Sequence, residues 1–292
     1  MIFAVHEPTT LGEALGVLAQ EGDAGAALAG GTDLLLRIRR RARTYRSVIN
    51  IKFVPGLDDL IWDERAGLTM GALTTFRAVE TNAAVRAHYP ALVEAARLVA
   101  GVQLRNLATV GGNLGNASPS ADSMPPLVAL GASVEIASVN GLRMVPVDLC
   151  VMGPGRTVLA PGEIFSTIHI PAPLPLSGNA FARFSPRSAM DIGIASVAAS
   201  VTLDKDGRCA ACRIALGAVS PKPLRAAMAE GALEGERLTP ALADLIGRLA
   251  SEAAQPISDI RGSADYRRAI VKVLATRVVL LAAVRAARAS TP

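Results

Sequence analysis

The sequence predicts an α+β chain of two domains, and three observations support this fold class. At 292 residues the chain is longer than one typical domain. The segment IPAPLPLSGNA, residues 170–180, is rich in proline and glycine and is typical of a linker between domains. Short strands and helices are mixed before this segment, whereas after it a group of antiparallel strands is followed by helices. We therefore expect domains over residues 1–175 and 176–292.

Capping signals and periodicity predict the elements of the first domain. Thr10 and Glu13 have the spacing of a capping box, and leucines at 11, 15 and 18 form the apolar stripe of a helix. The segment AALAGGTDLLLRIRR predicts a short buried strand, a double-glycine turn, and a helix that begins near Thr32. Short strands are expected at 47–51, 60–62 and 68–73, and helices at 91–100 and 124–132, the last with prolines in its first turn.

The second domain is predicted to begin with three antiparallel strands. These are FARFS, SVAASVTLD and RCAACRIALGAV, and DKDG (204–207) is the expected hairpin turn between the last two. Helices are expected at about 222–231, 239–254 and 264–289. Cys209 and Cys212 form a CxxC, but residues three apart on a strand point to opposite faces. We therefore expect that the two thiols do not converge on a metal or redox site.

Composition narrows the functional classes. Hydrophobic residues make up 51% of the chain and its mean hydropathy is +0.36, which suggests apolar surface buried against partner chains. The late apolar run VVLLAAV (278–284) is far shorter than a transmembrane span. The beginning of the sequence lacks the pattern of a signal peptide, and the three cysteines form no disulfide framework, so we expect a cytoplasmic protein.

Basic residues are concentrated in RIRRRARTYR, residues 37–46. One interpretation is a nucleic-acid patch, but aromatic residues are only 3% of the chain and hardly interleave with these arginines. We favour solvated arginines at the C-terminal end of a helix, where they complement the helix dipole. We therefore expect no nucleic-acid partner, while a docking surface for an acidic protein stays open.

Two glycine-rich turns are the strongest candidates for a binding site. They are AGGTD (29–33) and TVGGN (109–113), and each follows an apolar segment. A bare glycine pair allows backbone N–H groups to approach an anion, so two facing turns would surround a diphosphate with uncharged donors. The longer stretch TVGGNLGNASPSAD is expected to be neither helix nor strand, because glycine and proline disrupt both. Its polar tail, with Asn113, Asn116, Ser118 and Asp122, suits the hydroxyls of a sugar or sugar alcohol.

Four motifs in order resemble the FAD-binding medium subunit of molybdenum hydroxylases, the family of the carbon monoxide dehydrogenase flavoprotein and the xanthine dehydrogenase FAD domain. They are LAGGTDLL, QLRNLATVGGNLGNASPSAD, GPGRTVLAPGEIFSTIHIP and SPRSAMDIGIASVAA, and the likeness covers nearly the whole chain. The resemblance implies an N-terminal FAD-binding domain of two α+β subdomains. It also implies a C-terminal domain with a three-stranded antiparallel sheet and a helical bundle.

The resemblance also implies which residues hold the cofactor. The matching positions of the family contact the FAD diphosphate mostly through backbone amides. In this sequence they are Ala29, Gly30, Gly31, Thr32, Asp33, Leu34, Thr109, Val110, Gly111, Gly112 and Asn113. The positions of Asn116 and Asp122 reach the ribityl and ribose region. Phe165, usually leucine in the family, is implied to lie against the isoalloxazine, and Arg183 to place a basic group near the flavin.

The function implied by the resemblance is electron transfer within an oxidoreductase. FAD is expected to be bound non-covalently, with the molybdenum cofactor in a large partner subunit and [2Fe–2S] clusters in a small one, arranged as a dimer of heterotrimers. Electrons would pass from the clusters through FAD to an external acceptor. No catalytic residue and no metal site is expected in this chain, since its three histidines lie far apart and no substrate base stands out.

Departures from the family pattern limit the interpretation further. The segment AGGTD differs from the AGGHS that is common in true carbon monoxide dehydrogenases, which argues against carbon monoxide as the substrate. The organic substrate and the electron acceptor stay open at this point. A cofactor-free nucleotide-binding or scaffolding module of the same fold is the alternative.

Overall fold

A three-stranded parallel sheet begins the fold in a computed structural model, which describes residues 3–187 and 190–289. The strands are β1 (Ala4–His6), β2 (Gly25–Leu28) and β3 (Ser47–Asn50), in the order β1-β3-β2. Helix α1 (Leu11–Glu21) buries Leu15 and Leu18 of the predicted leucine stripe and half-buries Leu11. The Thr10 hydroxyl accepts the N–H of Glu13 at 3.2 Å. The capping box is thereby confirmed. Helix α2 (Leu34–Arg39) begins two residues later than predicted and has arginines in its last turn.

A five-stranded antiparallel sheet follows. Its order is β4-β5-β10-β6-β7, and β8 and β9 form a separate two-stranded sheet. The strands are β4 (Leu60–Asp63), β5 (Gly67–Gly71), β6 (Ser133–Ser138), β7 (Gly141–Pro146), β8 (Val151–Gly153), β9 (Arg156–Thr157) and β10 (Ile164–Ile170). The helices are α3 (Phe76–Thr81), α4 (Ala83–His88), α5 (Pro90–Leu98), α6 (Val102–Arg105), α7 (Val110–Asn116) and α8 (Met124–Ala129). Apolar residues of β5, β6 and β10 form one buried core with helices α3, α4, α5, α7 and α8.

Helix α7 shows that one expectation was wrong, because residues 110–116 of the glycine-rich stretch are helical. Thr109 caps the helix by accepting the N–H of Gly112 at 3.0 Å, and Ala117 ends it in the left-handed conformation. Val110 and Leu114, one turn apart, are fully buried. Packing of this short apolar face outweighs the low helix propensity of three glycines, since tertiary contacts supply most helical stability in proteins.

The C-terminal part consists of an antiparallel sheet covered by helices. Three long strands, β11 (Ser177–Phe184), β12 (Ala195–Leu203) and β13 (Cys209–Gly217), form the sheet, and the two-residue β14 (Leu224–Arg225) extends it. Helices α9 (Ala227–Leu233), α10 (Pro240–Ala253) and α11 (Ala264–Arg288) share a buried core with the sheet. The predicted boundary at 175/176 falls between β10 and β11, and the division into domains stays a prediction. Ser188 and Ala189, in the fourth family motif, lie outside the described residues.

The two cysteines of the CxxC lie on the same face of β13, contrary to the reasoning from strand periodicity. Cys209 pairs with Leu203, whereas Ala211 pairs with Thr202, so a β-bulge at this point adds one residue to β13. The extra residue turns Cys209 toward the side of Cys212, and both thiols are buried in the C-terminal core. The neighbouring Cys209 thiol and burial raise the pKa of Cys212. A buried neutral thiol of this kind serves packing.

No helix among residues 3–187 and 190–289 combines the length and the apolar character needed to cross a membrane.

Candidate functional site

A cavity of about 570 Å³ lies where the end of β2 meets the beginning of α7. This volume is within the usual range of small-molecule sites, about 300–1,000 Å³. The structure therefore brings the two glycine-rich turns of the sequence to one place. Twelve of the sixteen predicted cofactor-binding residues line the cavity: Ala29, Gly30, Gly31, Thr32, Asp33, Leu34, Thr109, Gly111, Gly112, Asn113, Asn116 and Phe165.

The first glycine turn, residues 29–33, presents N–H groups without acceptors in the described part of the chain. Gly31 has a φ of +76°, a conformation that favours glycine. Gly30 packs closely on the backbone of Leu107, so that a Cβ added to Gly30 would lie 1.9 Å from the Leu107 carbonyl oxygen. The N–H groups of residues 30–33 donate to no acceptor in the described part of the chain. Because unpaired N–H groups in consecutive residues attract anions, this turn suits a phosphate group.

The second glycine turn, residues 109–113, uses its N–H groups within the protein. Val110 donates to the Thr74 carbonyl at 3.0 Å and Gly111 to the Ala72 carbonyl at 3.0 Å. The N–H of Gly112 is bound by the Thr109 hydroxyl, as described above, and that of Asn113 donates to the Thr109 carbonyl at 2.9 Å. An added Cβ on Gly111 would lie 2.6 Å from the Ala72 carbonyl oxygen. The glycines of this turn therefore allow a close approach of two backbone segments.

Four predicted residues do not line the cavity: Val110, Ser118, Asp122 and Arg183. Val110 points into the core, and the Ser118 hydroxyl accepts the N–H of Ser120 at 3.3 Å. Asp122 and Arg183 form a buried ion pair, with side chains 10% and 3% exposed. Burial raises the pKa of Asp122 to about 6, and the charge and hydrogen bond of Arg183 offset only part of this shift. The Nε and Nη2 atoms of Arg183 are buried and have no hydrogen-bond partner in the part of the chain that the structure describes.

Two arginines at the cavity were not identified as site residues from the sequence. Arg37 donates through Nη2 to the Asn116 carbonyl at 3.2 Å and to Asn116 Oδ1. Arg43 donates to the Asp23 carbonyl at 3.1 Å and lies over the Tyr45 ring, 5.3 Å from its centroid. Both line the cavity. Both belong to the basic stretch RIRRRARTYR, which was interpreted as solvated. Most residues of this stretch are arginines, so the sequence alone does not distinguish these two from their neighbours.

Phe165, the second residue of β10, is the aromatic residue predicted to lie against the flavin ring. It is buried and lines the cavity, beside a register shift between Phe165 and Thr167 in the pairing of β10 with β6. An added Cβ on Gly115 would be 3.9 Å from its ring. An apolar ring at this point gives the cavity a surface on which a flat heterocycle can pack. Among the described residues, no group of three or more His, Cys, Asp or Glu side chains is placed to hold a metal ion.

Two family models together match most of the chain. Residues 1–173 match the FAD binding domain in molybdopterin dehydrogenase, and residues 180–282 match the CO dehydrogenase flavoprotein C-terminal domain.

Individual proteins of this family are similar to the chain over nearly its full length. The xanthine dehydrogenase FAD-binding subunit of Escherichia coli O157:H7 is 34% identical, and the match covers 94% of each chain. The carbon monoxide dehydrogenase medium chain of Hydrogenophaga pseudoflava is 30% identical, with 98% of each chain covered. A chain from the reconstituted CO dehydrogenase of Oligotropha carboxidovorans superposes with a TM-score of 0.92 at 29% identity, covering 98% of this chain and 99% of that one.

Proposed function

The chain belongs to the family of FAD-binding subunits of molybdopterin dehydrogenases, and from that premise we propose that it transfers electrons through FAD between partner subunits and an external acceptor. It is an FAD-binding oxidoreductase subunit of the xanthine dehydrogenase and carbon monoxide dehydrogenase type. Bound FAD supplies the ability to accept electrons singly and to release them in pairs. The protein supplies binding, orientation and shielding from water.

One observation carries the proposal: the unpaired N–H groups of the first glycine turn lie in the wall of the large cavity. A flavin dinucleotide needs hydrogen-bond donors for its diphosphate, polar groups for its sugars and an apolar surface for its flavin ring. Residues 30–33 supply the first, Asn116 the second and Phe165 the third. These groups together fit FAD. The glycines of the second turn contribute space rather than hydrogen bonds, because they leave room between α7 and the first turn.

The electron route requires partner subunits. We propose a large subunit with the molybdenum cofactor and a small subunit with [2Fe–2S] clusters, assembled in the cytoplasm as a dimer of heterotrimers. Several relatives are named medium chains or medium subunits, which supports such a complex. Exposed apolar side chains, including Leu142 and Met152, support a subunit with faces covered by partners.

The identity of the flavin is tested on the purified chain. Acid denaturation should release all of the yellow chromophore as FAD. Colour that stays with the precipitate, or FMN in the supernatant, would contradict non-covalent FAD binding. A chain that is colourless and binds no added FAD would favour the cofactor-free scaffolding module.

The electron route is tested by anaerobic stopped-flow at the flavin band. With the large and small subunits present, the substrate of the complex should reduce the flavin rapidly, whereas the chain alone should stay oxidised. Dithionite should reduce the flavin in both samples, which shows that the cofactor is competent in each. Reduction of the isolated chain by that substrate would contradict the relay and indicate a self-sufficient oxidase.

A further inference from the structure

Arg37 joins the two walls of the cavity. It lies in α2, directly after the first glycine turn, and its side chain reaches the C-terminal end of α7. There its Nη2 donates to both oxygens of Asn116, the main-chain carbonyl and the side-chain Oδ1. A guanidinium has donors only, so the amide oxygen of Asn116 faces Arg37 and the amide NH₂ is left for another acceptor. That NH₂ has no acceptor among residues 3–187 and 190–289, and Asn116 lines the cavity.

Arg37 is also a cation without a carboxylate partner. It forms no salt bridge with the described carboxylates, and its Nε and Nη1 groups donate to no acceptor in the described part of the chain. Arg43, the other arginine at the cavity, has a carboxylate partner, because its Nη2 lies 3.7 Å from Asp23 Oδ1. Arg37 is half-buried, so its charge is only partly screened by water. Its spare donors and the unpaired N–H groups of residues 30–33 line the same cavity.

We propose that Arg37 is a specificity determinant for the diphosphate of the dinucleotide, acting by charge on the phosphates and by holding Asn116 in its binding orientation. This inference rests on the proposed function, since it assumes that the cavity takes FAD. Neutral amides alone would distinguish a diphosphate from an uncharged flavin only weakly. A guanidinium adds charge-assisted hydrogen bonds, which are about twice as strong as neutral ones.

The test compares three ligands on the flavin-free full-length chain: FAD, ADP as a probe of the diphosphate end, and riboflavin as a probe of the ring end. Arg37→Gln should weaken FAD and ADP by about 10- to 100-fold, the loss typical of hydrogen bonds to a charged group. Riboflavin lacks the phosphates but carries the ribityl hydroxyls that Asn116 is proposed to bind, so its affinity should fall by less than the affinities of FAD and ADP. Arg37→Lys keeps the charge and should recover part of the ADP affinity.

Arg40→Gln is the matched control. Arg40 is the exposed C-cap residue of the same helix, so this variant makes the same charge change away from the cavity. Its affinities for all three ligands should equal those of the wild type. In the wild type, ADP affinity should fall as salt rises from about 0.05 to 0.5 M, and this slope should be shallower in Arg37→Gln.

Two results would overturn the inference. One is an Arg37→Gln variant that binds ADP and FAD as tightly as the wild type. The other is an equal loss for ADP and riboflavin with an unchanged salt slope, which would mean that Arg37 only supports the shape of the cavity. A wild type that binds neither FAD nor ADP would instead contradict the proposed function, so the two failures are distinguishable.

Discussion

The two glycine turns have similar sequences, AGGTD and TVGGN, yet their backbones are used in opposite ways. Both contain a glycine that allows close backbone contact, Gly30 against Leu107 and Gly111 against Ala72. In the first turn, however, the N–H groups of residues 30–33 have no acceptor among residues 3–187 and 190–289, whereas those of residues 110–113 all donate to protein acceptors. The first turn is therefore available to a ligand, and the second is committed to the fold.

The difference shows why a glycine pair alone does not identify an anion site. A glycine removes a Cβ, and either a ligand or another backbone segment can occupy the space that it leaves. Whether the N–H groups remain free depends on residues distant in the chain, here Ala72 and Thr74. Matched substitutions in the two turns test the comparison directly when unfolding is measured without flavin.

Asp33, the last residue of the first turn, and Asp122, in the polar tail of the second, should show the largest difference. Asp122→Ala removes one partner of a buried ion pair and leaves Arg183 uncompensated, so it should lower the free energy of unfolding by about 3–5 kcal/mol. Asp33→Ala should change it by less than about 0.5 kcal/mol, because the Asp33 side chain is exposed and makes no capping hydrogen bond. Urea unfolding of the flavin-free variants measures both values. A loss for Asp122→Ala as small as that expected for Asp33→Ala would mean that the polar tail of the second turn is not part of the fold.

The glycines should show the next largest effect. Gly111→Ala places a Cβ 2.5 Å from Ala72 Cβ and close to its carbonyl, and overpacking of this kind destabilises by about 1–3 kcal/mol. Gly31→Ala should cost less, about 1 kcal/mol, because it adds left-handed strain and touches only the flexible side chains of Leu28 and Leu35. The midpoints of urea unfolding measure the two losses. A larger loss for Gly31→Ala would reverse the comparison.

The fold was largely predictable because its signals are local. The capping box at Thr10, the prolines at the start of α8 and the DKDG turn are short patterns, and the structure confirms each of them. Two predictions failed for non-local reasons. Helix α7 is stabilised by tertiary packing of Val110 and Leu114. The bulge in β13 depends on the pairing of this strand with β12, and the periodicity of the β13 sequence does not reveal that pairing.

The threonines of the two turns should show the smallest effect. Thr109→Val removes the cap of α7 and leaves the Gly112 N–H unpaired, which should cost about 1 kcal/mol. Thr32→Val should leave the stability of the flavin-free protein within about 0.5 kcal/mol, because the Thr32 hydroxyl has no partner in the described part of the chain. Thermal unfolding of the two variants without flavin provides the measurement. A Thr32→Val variant that is the less stable of the two would contradict the assignment of the turns.

The site was predictable in outline but not in detail. The glycine motifs and their resemblance to a family placed twelve residues that line the cavity. The roles of Asp122 and Arg183 stay predictions, since the structure pairs them with each other in the interior. Arg37 was not identified as a site residue because its neighbours in the chain are also arginines, and only the three-dimensional position of Asn116 distinguishes it.

Residue-resolved amide hydrogen exchange, with and without FAD, tests the central claim most directly. Without FAD, the N–H groups of residues 30–33 should exchange rapidly, and those of residues 110–113 should be protected by their protein acceptors. Added FAD should protect residues 30–33 and leave residues 110–113 nearly unchanged. Protection of residues 110–113 that appears only with FAD, while residues 30–33 do not respond, would contradict the account.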